Sequence, residues 1–595
     1  MPEPTSSAPA QPIEVVLIGF GPVGARFVEE LLPVVRSGAV RLTVVGAEQH
    51  EPYNRVLLAE FAVGRTPRER LDLLDTAEAL NAGVDVRRGD VAVSIDRQRQ
   101  EVLLEAGGTV RYDRLVLATG ARANVPTLVG LEGVRRDRAT ASSAGALDTG
   151  PAAFPSGVVV LRDLADAVVV RDAVRAGKRI VVLGAGVLGM ELALAVAEQG
   201  AEVVAVYHGD TPMARNLDRG GGRILSRAAR SAGVAMASHS RAETVLLRDD
   251  PESGRRFHAL GCADGKLIEG DLLVLSCGVG ARVELAERAG LAVASGVLVD
   301  DELRSWTDPD VFAIGDCAQV ADPSLVGEGA RSGLVRVPGA PSGLIGPGWQ
   351  QADWLAGALT AEATGAERPP LAAAERPTVV MLKAEGVDVV AGGDVSADLW
   401  DEEPRGVGPL GPLGPAGPVD ALGPGPGASG QAAHAPDCRR EITQWADPAR
   451  GQYLKVVTRG GVVEGFVSVG MPRAGAELTL VFERGSELPA DRSALLRLDA
   501  GGAAMGASDP LAPDATVCWC NGVSVQTIVD AAAEGNDTVA CISTATRAGT
   551  GCGGCRGRIA EILATAPASA PAAASGSAAA LSGVPGGVVA AEIVG

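Results

Sequence analysis

A pattern that occurs twice constrains the fold of this chain more than any other feature. Val15-Val16-Leu17-Ile18 runs directly into Gly19-Phe20-Gly21-Pro22-Val23-Gly24 and a helix-like stretch to about Leu32. Some 165 residues later Ile180-Val181-Val182-Leu183 runs into Gly184-Ala185-Gly186-Val187-Leu188-Gly189 and the helix-like stretch Met190 to Gln199. A buried strand, a glycine turn and a helix opening toward that turn form the half of a βαβ unit that cradles a pyrophosphate. The first glycine permits the tight turn, the second lets backbone amides approach the phosphates, and the third lets helix and strand pack closely. Gly19, Gly21 and Gly24 therefore predict one dinucleotide site, and Gly184, Gly186 and Gly189 a second. Apolar runs of four to six residues alternate with helix-like stretches from Ile13 to about Val320, which predicts an α/β chain with two Rossmann-like domains built on parallel sheets.

The strands that follow each motif carry the next clue. Leu42 to Val45 delivers Glu48 where a carboxylate can bind ribose hydroxyls. The corresponding strand of the second motif, Val203 to Val206, ends in Tyr207-His208, with no carboxylate and no obvious arginine cluster for a 2′-phosphate. His208 is either a ribose contact or an exposed loop residue, and the choice between NADH and NADPH stays open. Leu115-Val116-Leu117-Ala118-Thr119-Gly120 resembles the strand-and-turn motif of two-dinucleotide flavoproteins. Thr307-Asp308-Pro309-Asp310-Val311-Phe312-Ala313-Ile314-Gly315-Asp316 resembles their second FAD motif, whose Asp hydrogen-bonds the ribitol chain. The resemblance implies FAD at the first site, with Thr119, Gly120, Gly315 and Asp316 among its contacts. It implies NADH or NADPH at the second, with Gly278 as a further candidate.

Nine cysteines say how electrons leave. None precedes Cys262, so the redox disulfide of glutathione-reductase-like enzymes and the peroxidatic cysteine of NADH peroxidases, both carried by the first FAD half, are absent. Cys277, Cys317 and Cys541 are expected to be small buried side chains. Cys518 and Cys520, a gap of 31 residues, then Cys552 and Cys555 make two close pairs of thiolates. Zinc is one candidate for such a set, but zinc ribbons usually separate the ligands of each pair by two or more residues, and Cys518-Trp519-Cys520 has one. With a flavin upstream, a [2Fe–2S] cluster is the expected occupant. Ser524 to Ala533 has helical spacing, and Gly549 to Gly554 supplies a loop whose amides can hydrogen-bond the sulfurs.

Length and charge bound the rest. The 595 residues suffice for several domains. The boundaries read as 1–149 for the first part of an FAD domain, 150–280 for an NAD(P) domain, 281–370 for the second part of the FAD domain and 371–507 for an α+β domain. Residues 508–565 would form a small helical [2Fe–2S] domain, and 566–595 a disordered tail. Thr378 to Leu382, Tyr453 to Thr458 and Leu478 to Phe482 are expected as strands, while the Gly/Pro-rich stretch 401–437 reads as a disordered insertion. Fifty-three basic against 73 acidic residues, a net charge of −20, disfavour nucleic acid and anionic membrane as partners. No secretory signal at Met1 to Pro12 and no apolar run near 18 residues lead to the expectation of a cytoplasmic protein. A homo-oligomer is compatible with the sequence.

The cysteine module Cys518-Trp519-Cys520-Asn521-Gly522-Val523-Ser524 with Thr550-Gly551-Cys552-Gly553-Gly554-Cys555 resembles the bacterioferritin-associated-ferredoxin-like [2Fe–2S] domain. Pro52-Tyr53-Asn54-Arg55-Val56-Leu57-Leu58, Asn216-Leu217-Asp218 and Leu382-Lys383-Ala384-Glu385-Gly386-Val387-Asp388-Val389 resemble the flavoprotein half of NAD(P)H nitrite reductases. The resemblance implies Arg55 as a flavin contact. Relatives among rubredoxin and ferredoxin reductases often carry a Lys where Glu60 falls, so no catalytic lysine is carried over. Full nitrite reductases continue into a sirohaem half with further cysteines, and no cysteine follows Cys555 here. What remains looks like the electron-transfer subunit of assimilatory nitrate reductase, which implies a separate molybdenum-containing catalytic subunit as partner. The rival readings are a reductase for a separate nitrite reductase, a ferredoxin or an oxygenase, and a noncatalytic redox-sensing flavoprotein.

Overall fold

The computed structural model describes residues 11–131, 154–251, 254–325, 337–371, 379–382, 384, 386–399, 440–499, 512–513, 515–518, 521–551 and 553–565. The Gly/Pro stretch 401–437, the tail 566–595, and the cysteines Cys520 and Cys552 lie outside the described residues.

The first glycine motif sits in a five-stranded parallel sheet ordered Val311–Ala313, Arg114–Leu117, Ile13–Ile18, Val40–Gly46 and Asp85–Arg88. The second sits in another, ordered Val234–Ala237, Val203–Val206, Ile180–Leu183, Leu272–Leu275 and Val158–Val160. In both central strands consecutive apolar residues are buried, as a parallel sheet covered on both faces requires. The first motif's helix, Pro22–Arg36, starts on Pro22, whose missing N–H costs nothing at a helix start, and runs four residues past Leu32 with Pro33 inside it.

The chain leaves the first sheet after Ala121–Ala123, builds the second domain and returns through Val279–Ala281, which pairs antiparallel with the outgoing strand. It then supplies Val311–Ala313 to the first sheet and the long helix Ile345–Thr364, whose Trp349 indole donates to the Pro22 carbonyl at 3.1 Å. The two glycine motifs are thereby held on two bodies joined by one pair of crossing strands.

A third sheet is antiparallel, ordered Val379–Leu382, Val389–Gly393, Val462–Val469, Gln452–Arg459 and Arg440–Asp447. The expectation of a strand at Leu478 to Phe482 is wrong: these residues belong to the helix Pro472–Arg484. A short apolar run fits either periodicity. Here Ala474, Leu478, Val481 and Phe482 recur at helical spacing and pack on the sheet, and Gly485 ends the helix with φ +59°. This domain packs on the second dinucleotide domain. The helix Arg219–Ser231 opens Arg219-Gly220-Gly221-Gly222, and a Cβ on Gly220 would stand 2.6 Å from the Tyr453 ring. Asp218 caps that helix through the Gly221 amide at 3.1 Å, accepts the Tyr453 hydroxyl, and lies 3.4 Å from the buried Lys455 ammonium.

The cysteine module is small: a short hairpin, Thr516–Cys518 with Val523–Ser524, and the helices Val525–Ala533, Val539–Thr546 and Arg556–Thr565. Its core is Val523, Val525, Ile528, Ile542, Ile559 and Ile562. Cys541 is not part of it: the side chain sits half-buried on its helix, because Ile542 takes the inward position.

Candidate functional site

The two glycine loops match atom for atom. Gly19 has φ +109° and Gly184 φ +116°, a region closed to other residues, and an added Cβ would lie 2.1 Å from the carbonyl oxygen of Ala118 or Ser276 respectively. The third glycines, Gly24 and Gly189, would each put a Cβ 2.2 Å from the carbonyl of the first. The second glycines differ in kind. Gly21 and Gly186 cap their helices with φ of −85° and −74°, conformations open to any residue. A Cβ there would meet only the Arg55 guanidinium at 3.9 Å in the first case and nothing within 4 Å in the second. The backbone does not need glycine at these positions, and the space in front of them is what a dinucleotide's pyrophosphate would fill.

Around the first loop the fold gathers a polar cleft. Glu48, two residues past Val40–Gly46, accepts the Tyr53 hydroxyl at 2.8 Å and pairs with Arg55. Burial works to raise the Glu48 carboxyl, but the Arg55 charge and the hydrogen bonds from Tyr53 and Arg55 outweigh it and hold it below the usual range. Arg55 also donates to the Arg162 carbonyl at 2.9 Å and lies over the Tyr53 ring at 5.1 Å. Arg162 in turn donates to Asp316 at 3.1 Å and to the Ala121 carbonyl. Thr119 Oγ1 donates to the Arg282 carbonyl at 2.9 Å; Gly120, with φ +69°, accepts the Arg282 amide; and the Gly315 amide donates to Gln351 at 2.7 Å. Burial, then the neighbouring charge of Arg55, lowers the guanidinium pKa of both Arg162 and Arg282. Three guanidinium groups, those of Arg55, Arg162 and Arg282, gather among Glu48, Asp316 and Asp163, and guanidinium groups are the donors suited to a bound pyrophosphate. Sequence reasoning missed Arg162 and Arg282, which reach the cleft from the second domain and from the returning crossover.

At the second loop His208 is exposed and Tyr207 is buried. Two residues beyond His208, Asp210 is approached by Arg219, by Arg223 at 3.7 Å and by His239 at 3.4 Å. The sequence reading found no such arginine cluster; the signal was the helical spacing of Arg219 and Arg223. Gly278, with φ +86°, lies at the joint between the two domains, its carbonyl accepting the Asn124 amide at 2.9 Å.

Cys317 is fully buried with its thiol on the Leu117 carbonyl, and burial raises its pKa. Burial pushes Cys277 up to about 11. Cys262, Cys277 and Cys317 are all unbridged thiols, and none forms a disulfide beside the flavin cleft. Cys518 is different. A hydrogen bond with Cys555, against burial, and further hydrogen bonds from the Gly549 and Asn521 amides pull it down to about 6. The Asn521 side-chain amide also faces its sulfur at 3.7 Å. Cys518 and Cys555, two buried cysteines meeting at a site lined with N–H donors, supply two of the four thiolates a [2Fe–2S] cluster takes, and Cys520 and Cys552 lie outside the described residues.

This combination defines a two-dinucleotide flavoprotein reductase with an iron–sulfur module. The family model described as pyridine nucleotide-disulphide oxidoreductase matches residues 13–338, and the BFD-like [2Fe-2S] binding domain matches 516–565. The chain belongs to the pyridine nucleotide-disulphide oxidoreductase family. It is an NAD(P)H-dependent flavin oxidoreductase whose cofactors are FAD, NAD(P)H and a [2Fe–2S] cluster. It is similar to the nitrite reductase [NAD(P)H] of Bacillus subtilis, 26% identical over 552 residues, covering 92% of this chain and 57% of that protein. It is also similar to the assimilatory nitrate reductase electron transfer subunit of the same organism, 26% identical over 391 residues, covering 64% of this chain and 43% of that one. The chain spans about half the length of the nitrite reductases it matches. Among solved structures, a ferredoxin reductase from Rhodopseudomonas palustris shares the fold with a TM-score of 0.59 at 20% identity, covering 82% of this chain and 97% of that one. Among the described residues no helix is long and apolar enough to cross a membrane.

Proposed function

We propose that this protein is the cytoplasmic electron-transfer component of nitrate assimilation, taking hydride from NAD(P)H and delivering single electrons to a separate, molybdenum-containing nitrate reductase subunit. Bound in their sites, the flavin accepts a hydride and the cluster carries one electron at a time. In this reading Gly19, Gly21, Gly24, Glu48, Arg55, Thr119, Gly120, Gly315 and Asp316 hold FAD. The Gly184, Gly186 and Gly189 loop holds NAD(P)H, with His208 and Gly278 beside it, and Cys518, Cys520, Cys552 and Cys555 ligate the cluster.

The chain's own groups bind and orient. The amides at the two helix starts hold pyrophosphates, and Glu48, kept ionised by Arg55 and Tyr53, accepts from ribose hydroxyls. Arg162 holds Asp316 against the cleft. Cys262, Cys277 and Cys317 have no thiol exchange to perform, so the cysteine module is the exit for electrons. The observation that carries the reading is that the flavin cleft and a cluster module occur in one chain related over 391 residues to an electron transfer subunit of assimilatory nitrate reductase. The nitrite reductase relatives cover 92% and more of the chain, so nitrite reduction is the competing assignment.

The test is to purify the native complex and supply NADH with nitrate or nitrite. Nitrate consumption dependent on a co-purifying molybdenum subunit supports the proposal. Nitrite turnover without nitrate turnover overturns it in favour of the competing assignment.

A further inference from the structure

Among the described residues, Asn54 and Arg547 join the cysteine module to the flavin domain. Asn54 is 1% exposed, and its side-chain amide donates to the carbonyls of Thr550 at 2.9 Å and Gly551 at 2.6 Å. Its Oδ1 accepts the Val56 amide at 3.0 Å and its own N–H donates to Leu71, so the side chain is fixed from the flavin-domain side. Gly551 precedes Cys552, and Asn54 precedes Arg55, the guanidinium beside Gly21. One residue thus ties the cluster loop to the rim of the flavin cleft.

Beside it, Arg547 reaches across to the helix Pro22–Arg36 and pairs with Glu29 at 2.9 Å and Glu30 at 2.8 Å. Arg547 ends the helix Val539–Thr546 with φ +61°, a conformation glycine or asparagine adopts at lower cost. What arginine adds at that position is the ion pairs. Its carbonyl accepts Asn521 at 2.8 Å and Thr550 Oγ1 at 2.8 Å, and the same Asn521 amide faces the Cys518 sulfur. The contact and the cysteines are therefore linked by a continuous set of hydrogen bonds.

We propose that Asn54 and Arg547 form a clamp that holds the cluster loop against the flavin cleft of the same chain, so that the cluster is reduced internally without domain movement. Asn54 is the positioning residue, acting through the backbone of Thr550 and Gly551. The inference rests on the proposed flavin and cluster sites. The electron balance is simple. NAD(P)H loses two electrons as hydride, the cluster gains one electron at a time and passes each to the acceptor, and the proton goes to solvent.

Two full-length variants test the clamp. Asn54→Asp replaces two donors with a carboxylate facing two carbonyls. Arg547→Gly removes the ion pairs at a position whose backbone suits glycine, so its folding is not at risk. In stopped-flow mixing with NADH the flavin should bleach at the wild-type rate in both variants, while cluster reduction slows about ten-fold or more in Asn54→Asp, as loss of two hydrogen bonds implies, and about two- to five-fold in Arg547→Gly, whose ion pairs are partly exposed. The cluster's paramagnetic signal should broaden as the loop loses its fixed geometry. In the full-length holoprotein, amide hydrogen exchange at 547–551 should rise in both variants, a readout independent of turnover. Wild-type cluster reduction should also be independent of protein concentration. Unchanged transfer rates and unchanged exchange in both variants, or a wild-type rate that rises with protein concentration, would overturn the clamp. A wild-type cluster that stays oxidised while flavin is reduced overturns the functional reading and the clamp with it.

Discussion

Replacing Gly186 with alanine separates what the second glycine loop needs for folding from what it needs for its ligand. Gly186 has φ −74° and ψ −175°, and a methyl group there meets no protein atom within 4 Å. The unfolded chain loses freedom on Gly→Ala, so the apoprotein should be unchanged or more stable by about 0.5 kcal/mol. In the proposed NAD(P)H site the methyl would occupy the approach to the pyrophosphate. Pushing the phosphates out by about 1 Å forfeits one charge-assisted hydrogen bond, worth about 1.5–3 kcal/mol, which raises the KM for NAD(P)H about 10- to 100-fold. Gly189→Ala is the control. Its Cβ would stand 2.2 Å from the Gly184 carbonyl, backbone against backbone, so it should cost about 1–3 kcal/mol of stability by overpacking. The assays are urea midpoints, flavin content from absorbance, and ferricyanide reduction over a range of NADH. Gly186→Ala should keep flavin and midpoint and lose affinity, whereas Gly189→Ala should lose midpoint. An unchanged KM in Gly186→Ala, or a midpoint loss matching that of Gly189→Ala, would refute the assignment of that space to a ligand.

Asp218→Ala strips a cap, the acceptor of the Tyr453 hydroxyl and the counter-charge of Lys455, whose side chain is 5% exposed. A loss of about 3–5 kcal/mol is expected, with most of it recovered in the Asp218→Ala, Lys455→Met double variant; equal losses in single and double variants would contradict it. Asp166, in the capping box of the helix Leu164–Arg175, is raised to about 7 by burial and then by Asp163. A folded pKa above the unfolded one makes its contribution complete below about pH 4 and lost as pH climbs through 7. Asp166→Asn should therefore gain about 1–2 kcal/mol on the wild type between pH 5 and pH 8 in denaturation midpoints, and parallel curves would exclude it. Cys552→Ser should lower iron from about two per chain while NADH-dependent ferricyanide reduction persists, by the [2Fe–2S] assignment; full iron content in that variant would remove Cys552 from the ligand set.

The glycine loops were legible in the sequence because their requirement is local: Gly19 and Gly184 need a positive φ, and Gly24 and Gly189 need to clear a carbonyl five residues away. Of the two cysteine pairs, the structure brings Cys518 and Cys555 together, while Cys520 and Cys552 lie outside the described residues. Leu478 to Phe482 was misread because five apolar residues carry too little periodicity, and only the longer run from Ala474 and the sheet beneath it decide for helix. Cys541 was misplaced because the inward face of its helix is chosen by packing, which favours Ile542. Arg162 and Arg282 were invisible as cleft residues, since they come from segments far from Glu48 and Arg55 and converge only when the crossing strands Ala121–Ala123 and Val279–Ala281 pair. Asn54 stood in a quoted motif, yet nothing near it in the chain says that its amide meets Thr550 and Gly551. Backbone conformation and ligand spacing act within a few residues and so can be read from the chain. The charge of the flavin cleft and the contact between flavin and cluster domains depend on surfaces separated by hundreds of residues, and tertiary packing alone brings them together.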